Sequence, residues 1–150
     1  MIELPFVTTG AAPAASPLAR VAGIRDLSQL GKLELRGAAC DQLPEGADAI
    51  RLGPRRTLLL CEPGARAAIG GALPGFVIDV TAAYAGIEID GEQLMRRLSD
   101  LDLDALPVAG KVAGVHALVA RDGDRFRIWF AQELAESVAE VVLDAMAAFA

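Results

Sequence analysis

The sequence predicts an α+β fold built as a pseudo-twofold repeat of two antiparallel strand–helix halves. Two observations carry this prediction. Each half opens with an alternating strand that stops at a glycine, LELRG at 33–37 and IEIDG at 87–91. Each half then continues, in the same order, with a polar turn, an apolar strand and a closing helix.

The first half contains three segments with strand patterns and one with a helical pattern. Residues 32–36 alternate polar and apolar side chains, which is typical of a half-buried strand. Residues 49–52 lead into the turn pair Gly53-Pro54, and the apolar run at 57–61 predicts a buried central strand. Alanine and isoleucine then recur at helical spacing, so a short helix is expected over 65–72.

The second half repeats this order. Residues 85–90 alternate like the first strand, and residues 92–99 place leucine and methionine on one helical face. Residues 115–120 are strand-like, and Asp122-Gly123 is a strong hairpin signal that returns the chain through 126–130.

The second half also contains an insertion and the best-defined helix of the chain. Proline and aspartate mark the stretch near 101–115, which we interpret as an irregular insertion. The final helix has one apolar face and one acidic face. The apolar face comprises Leu134, Val138, Val141, Val142, Ala145 and Phe149. The acidic face comprises Glu133, Glu136, Glu140 and Asp144.

Length and composition predict one domain. The chain has 150 residues, of which 53% are hydrophobic, and a body of this size can bury a core without disulfides or metals. We expect an N-terminal arm or linker over 1–29, because residues 8–17 contain no large apolar side chain. The domain then spans 30–150, with its two halves at 30–75 and 76–148.

The charge balance argues against two classes of partner. The net charge of −6 opposes binding to phosphate backbones and to anionic membranes, so neither nucleic acid nor a membrane is expected. The N-terminus lacks the basic region of a signal peptide, and no apolar run reaches the length of a membrane span. We therefore expect a cytoplasmic protein.

The residues that usually hold metals are scarce. Cys40 and Cys61 have no C-x-x-C spacing, and His116 is the sole histidine, so no metal site is expected. Both thiols are expected to be reduced. His116 lies in an apolar strand with no partner suggested by spacing, and the alternating aspartates at 100, 102 and 104 lack the register of a calcium loop.

Three segments resemble one known family. GKLELRG at 31–37, AIRLGPRRTLLLCEP at 49–63 and VIDVTAAYAGIEIDGEQLMRRL at 77–98 occur in the order and spacing of the gamma subunit of heterotetrameric sarcosine oxidase. That subunit is related to the folate-binding domains of aminomethyltransferases, the glycine-cleavage T-proteins. The resemblance covers most of residues 30–148, and it implies an aminomethyltransferase folate-binding-domain-like fold.

The resemblance also implies a function. It predicts a non-catalytic accessory subunit of a folate-linked complex that oxidises N-methyl amino acids in sarcosine catabolism, packed on a large subunit. The cofactors FAD, FMN, NAD and tetrahydrofolate are implied for other subunits, and no catalytic residue is carried over to this chain. Where the family has an acidic pair and a tryptophan after the Leu-Gly-Pro turn, this chain has Arg55, Arg56 and Thr57.

Two groups of residues remain as candidate sites. Asp79, which opens the Asp-Val-Thr motif, is the natural carboxylate for orienting folate, but a strand-end or turn cap is the favoured interpretation and no catalysis is assigned to it. Arg51, Arg55 and Arg56 form the densest basic cluster, and arginine is enriched at interface hot spots. These three residues are the predicted partner interface; an ordinary solvated turn is the alternative.

Two other functions stay open at this stage. The chain could be a free-standing folate-binding protein of the aminomethyltransferase type. It could also be an interaction module that forms a homo-oligomer, most simply a homodimer, and has lost both roles. No dinucleotide or phosphate-binding fingerprint occurs in the sequence, so the residues themselves favour none of the nucleotide-dependent activities.

Overall fold

The computed structural model of this protein describes residues 7–8, 18, 24–37 and 42–149. They divide into two units. Unit 1 contains the described residues before 15 together with Gln29–Ala83, and unit 2 contains the described residues from 15 to 28 together with Tyr84 onward. Cys40, and most of the arm predicted over 1–29, lie outside the described residues.

Ten strands and three α-helices are described. In chain order they are β1 (Val7–Thr8), β2 (Arg25–Asp26), β3 (Gly31–Arg36), β4 (Ala47–Gly53), β5 (Arg56–Cys61), α1 (Arg66–Ala72), β6 (Phe76–Asp79), β7 (Tyr84–Asp90), α2 (Glu92–Leu98), β8 (Val108–Val112), β9 (Val115–Asp122), β10 (Arg125–Ala131) and α3 (Ala135–Ala147). Short 3-10 helices lie at Pro63–Ala65, Thr81–Ala83, Leu103–Ala105 and Gln132–Leu134. Every helix of the described residues is too short or too polar for a membrane span.

The sheet of unit 1 has the strand order β1-β6-β3-β5-β4. All its pairs are antiparallel except β1 with β6. Leu33 and Leu35 of β3 join the core with Ile69 of α1, while Lys32 and Glu34 point to the other face of the sheet. The prediction of a half-buried strand is wrong, because Lys32 and Glu34 are buried as well. That core also contains Leu59, Cys61 and Val77.

The sheet of unit 2 is antiparallel throughout, in the order β2-β7-β10-β9-β8. Both α2 and α3 contribute to the core on one of its faces. Phe130 lies in this core, whereas its neighbour Trp129 points to the opposite face and is also fully buried. A Cβ at Gly86 would collide with the Trp129 ring, so the glycine lets the indole lie across β7.

The two units share an order of a hairpin followed by a helix. In unit 1 the hairpin β4–β5 returns its second strand to β3 and is followed by α1; in unit 2 the hairpin β9–β10 returns its second strand to β7 and is followed by α3. Between β7 and β9, unit 2 contains α2, a 3-10 helix and β8.

Three details differ from the sequence analysis. The stretch at 101–110, predicted to be irregular, contains the start of β8, because Val108–Val112 pairs with β9. The strand β6, counted with the second half at 76–148, is hydrogen-bonded to β3 in unit 1. Val141 and Phe149, predicted on the apolar face of the last helix, are 42% and 50% exposed.

Candidate functional site

The predicted interface residues lie at the turned end of the β4–β5 hairpin in unit 1. Gly53 pairs with Arg56, which leaves Pro54 and Arg55 as the two turn residues, and a register shift between Arg51 and Gly53 marks a bulge. Proline presets the backbone angle at this turn. The hairpin therefore carries its arginines on a short turn with a fixed first residue.

Two of these arginines bind only backbone carbonyls. Arg51 donates to Gly53 O at 3.4 Å and to Pro54 O at 3.5 Å, and Arg55 donates to Gly37 O at 3.3 Å. These hydrogen bonds are long, and both side chains are exposed. Their guanidinium groups can exchange such contacts for a carboxylate at small cost.

The third arginine has a structural partner. Arg56 donates from Nε to Glu34 Oε1 at 2.9 Å, and its Nη2 forms an ion pair with the same oxygen. Arg36 Nη2 lies 2.8 Å from Glu34 Oε2. The Glu34 side chain is only 5% exposed, so the two arginines compensate a buried carboxylate. Arg56 therefore differs from Arg51 and Arg55 in what it does within the chain.

Asp79 lies at the end of β6 and is buried. Its Oδ1 accepts a hydrogen bond from Thr81 N at 3.0 Å, and its Oδ2 lies 3.1 Å from Arg66 Nη1. A side chain at Gly31 would collide with Arg66 and lie 2.7 Å from Cys61 Sγ, so the glycine leaves room for the arginine. In this geometry the carboxylate caps the strand end and anchors Arg66.

The remaining chemically reactive residues are dispersed. His116 is exposed on β9, and Asp102 accepts a hydrogen bond from Asp104 N at 3.1 Å. Burial, the largest effect, raises the pKa of the Cys61 thiol, and the Arg66 charge lowers it in part. The described side chains include no group of three or more His, Cys, Asp or Glu residues that could hold a metal ion.

The sequence analysis missed a further buried carboxylate, Glu88 of β7, which is 6% exposed. Its Oε1 lies 2.7 Å from Arg25 Nη2, and its Oε2 lies 2.9 Å from Arg127 Nε. A signal was present in the sequence, because Glu34 and Glu88 each lie three residues before the glycine in LELRG and IEIDG. The sequence did not indicate that Arg25 and Arg127 would bind Glu88, because these arginines lie on strands that are distant from β7 along the chain.

Unit 2 also has open clefts. One, of about 340 Å³, is lined by Ile24, Arg25, Glu88, Ile89, Asp90, Leu94 and Met146. Another, of about 390 Å³, lies between the end of α2 and β8 and includes Arg97, Ser99 and Lys111. In the first cleft the charged side chains already pair with one another.

Comparison with known proteins shows the fold. No family model and no curated protein matches this chain. A chain of the heterotetrameric sarcosine oxidase from Corynebacterium sp. U-96, solved in complex with pyrrole 2-carboxylate, superposes with a TM-score of 0.73 at 20% identity. The match covers 91% of this chain and 96% of that chain.

Two further solved structures are similar at a lower level. The regulatory subunit of aspartate kinase from Thermus thermophilus has a TM-score of 0.48 at 18% identity, covering 83% of this chain and 97% of its own. A structure of aspartokinase alpha and beta subunits has 0.44 at 12%, covering 84% and 98%. The resemblance predicted from the sequence is thus confirmed for the fold: this chain folds like a subunit of a heterotetrameric sarcosine oxidase.

Proposed function

We propose that this chain is a non-catalytic accessory subunit, of the gamma type, in a cytoplasmic sarcosine oxidase-like complex that oxidises N-methyl amino acids. One observation carries the proposal: the fold match extends over nearly the whole of both chains. The family resemblance assigns FAD, FMN, NAD and tetrahydrofolate to other subunits. The buried carboxylates of the described residues agree with this assignment, because Glu34, Asp79 and Glu88 are each bound by arginine.

A finer part of the proposal concerns the fold. We propose that the two halves are a pseudo-twofold repeat of the kind found in aminomethyltransferase folate-binding domains. The shared order of strand, hairpin and helix supports it, and so do the equivalent positions of Glu34 and Glu88. Superposition of β3, β4, β5 and α1 on β7, β9, β10 and α3 tests this repeat directly.

The partner surface in this proposal is the β4–β5 turn. Arg51 and Arg55 are exposed and bind only carbonyls, so a carboxylate of a large subunit can replace those contacts. A bidentate arginine–carboxylate pair that is desolvated in a complex costs about 2–5 kcal/mol to truncate, against about 0–1 kcal/mol for an exposed pair. Arg56 contributes by holding the turn through Glu34.

The experiment is a pull-down of this chain with a sarcosine oxidase large subunit from the same genome. Arg55→Glu is expected to weaken the association while the melting temperature stays within about a degree or two of the wild type. Arg125→Glu, a charge reversal of the same sign at an exposed position in unit 2, is the matched control and should associate normally. If Arg55→Glu binds the large subunit as strongly as the wild type does, the β4–β5 turn is an ordinary solvated turn and not the partner surface.

The proposal that this chain is not catalytic by itself is tested on the purified chain alone. It should carry no flavin absorption and produce no sarcosine-dependent hydrogen peroxide, because the sequence offers no dinucleotide fingerprint. Tight binding of tetrahydrofolate by the isolated chain would favour the aminomethyltransferase-type alternative. A stable homodimer with no affinity for the large subunit would favour the interaction module.

A further inference from the structure

Two cationic side chains of unit 2, Arg97 and Lys111, have no hydrogen bond or ion pair within the described part of the chain. Every other lysine or arginine that the structure describes contacts a carboxylate or a backbone carbonyl. An acidic protein that pairs its other described cations internally leaves these two exposed. Both of them line the same cleft.

This cleft lies between the C-terminal end of α2 and the strand β8. It measures about 390 Å³ and extends from Arg97 through Leu101 on one side to Lys111 and Gly114 on the other. Leu101 packs closely over Gly110, where a Cβ would collide with it, and gives the cleft an apolar wall. Asp100 is its single carboxylate, so positive charge exceeds negative.

The strand β8 is an edge of its sheet with unused backbone groups. It pairs with β9 in unbroken register, and Val112 and Val115 flank a two-residue turn at Ala113 and Gly114 with positive φ at both. In such a hairpin the flanking pair is hydrogen-bonded and the bonded pairs then alternate. The N–H and C=O groups of Ala109 and Lys111 therefore point away from β9, and no described group binds them.

We propose that β8 and this cleft form a docking site for an extended acidic segment of a partner protein. The segment adds to the sheet as a strand by binding Ala109 and Lys111 through its backbone. Its adjacent side chains point to opposite faces of the sheet, so one carboxylate binds Arg97 on the face that α2 covers and the next binds Lys111 on the other face. Charge complementarity selects this occupant. A second copy of the chain fits less well, because antiparallel pairing of β8 with itself brings two Lys111 side chains to the same short stretch of sheet.

This site is independent of the arginine turn in unit 1, so either proposal can fail without the other. The edge strands of natural sheets are usually protected from pairing with other chains by charged residues, proline or a bulge. The only charged residue of β8 is Lys111, and its positive charge favours an acidic ligand. Strand addition explains both the open backbone and the two unpaired cations.

The test uses the full chain and a capped, dye-labelled seven-residue peptide in which two adjacent glutamates are flanked by valine and threonine, so that one carboxylate points to each face of the added strand. Fluorescence anisotropy should show saturable binding that the same peptide with lysine for glutamate does not reproduce. The double variant Arg97→Glu with Lys111→Glu should weaken binding at least about tenfold. The double variant Arg96→Glu with Arg125→Glu, the charge-matched control, changes two exposed arginines outside the cleft and should bind as the wild type does.

A backbone variant separates strand addition from simple anion binding. Ala109→Pro removes one outward N–H while leaving the bonds to β9, because that N–H does not belong to the β8–β9 ladder. It should lose at least about tenfold in affinity with an unchanged circular dichroism spectrum. Should it fail to fold, amide shifts of Ala109 and Lys111 on titrating the wild type with peptide give the same answer.

Four results would overturn the proposal. They are the absence of saturable peptide binding, undiminished binding by the double charge variant, undiminished binding by folded Ala109→Pro, and equal competition by free glutamate or inorganic phosphate. The last result would reduce the cleft to a site for small anions.

Discussion

The two sheets each bury a glutamate between two arginines, yet they recruit the arginines differently. Glu34 of β3 is bound by Arg36, two residues along the same strand, and by Arg56 of the adjacent hairpin. Glu88 of β7 is bound from both neighbouring strands, by Arg25 of β2 and Arg127 of β10.

The difference shows what each ion pair does. In unit 1 the carboxylate fixes residues that the hairpin register already brings close, so it holds the β4–β5 turn in place. In unit 2 it attaches the two-residue strand β2, which has few other bonds: Arg25 and Asp26 pair with β7, and Leu27 N donates to Gly86 O at 2.8 Å. A buried glutamate thus supports a turn in one unit and holds a short strand in place in the other.

The largest effect is expected from removing both partners of Glu88. Arg25→Ala with Arg127→Ala leaves a buried carboxylate without compensation, which costs about 3–5 kcal/mol of unfolding free energy. Urea denaturation at pH 7 measures this loss. Hydrogen exchange of the Leu27 amide should also become faster, because the tether of β2 is gone.

Arg125→Ala is the control for that variant. Arg125 Nε lies 3.8 Å from Asp90, and both side chains are more than half exposed, so the loss should be about 0–1 kcal/mol. If Arg125→Ala and the double variant lower the free energy of unfolding equally, the buried ion pairs of Glu88 stabilise the protein no more than an exposed pair does. That result would contradict the role given to Glu88.

An intermediate effect is expected in unit 1. Arg56→Ala removes two contacts to Glu34 but leaves Arg36 in place, so the cost should be about 1.5–3 kcal/mol, the range for a hydrogen bond to a charged group. Arg55→Ala should change stability by less than about 0.5 kcal/mol. Equal losses in thermal unfolding of the two variants would contradict the separate roles that the hairpin gives to these arginines.

The smallest effect concerns the exposed pair at the start of α2. Hydrogen bonds from Arg96, and next from Arg121, hold the pKa of Glu92 below its ordinary value. A lowered pKa means that the contribution to stability is present above the ordinary glutamate pKa and is lost as pH falls through the lowered one. NMR titration should show the Glu92 pKa rising in Arg96→Ala; an unmoved pKa would remove Arg96 as the cause.

The sequence predicted the local elements well because their signals are local. The alternation in β3 and β7, the turn at Pro54 and the helix after Leu134 follow from neighbouring residues. The strand β8 was missed because its pairing depends on the turn at Ala113 and Gly114 and on Leu101 packing against Gly110.

The candidate site was predictable only in part. The three arginines are indeed neighbours at one hairpin, but the sequence does not show that Arg56 reaches Glu34 across the sheet. Nor does it show that Arg25 reaches Glu88, since the two residues are far apart in the chain. Side-chain pairing between strands depends on register, and register is set by the whole sheet.

Native mass spectrometry is the most direct test of our proposal that this chain is a subunit of a larger oxidase. The chain is co-expressed with the sarcosine oxidase-like large subunit of its own genome and purified through a tag on that subunit. The account predicts an assembly that contains one copy of this chain per large subunit. A large subunit that purifies without this chain, with the chain recovered separately as a monomer or homodimer, would contradict it.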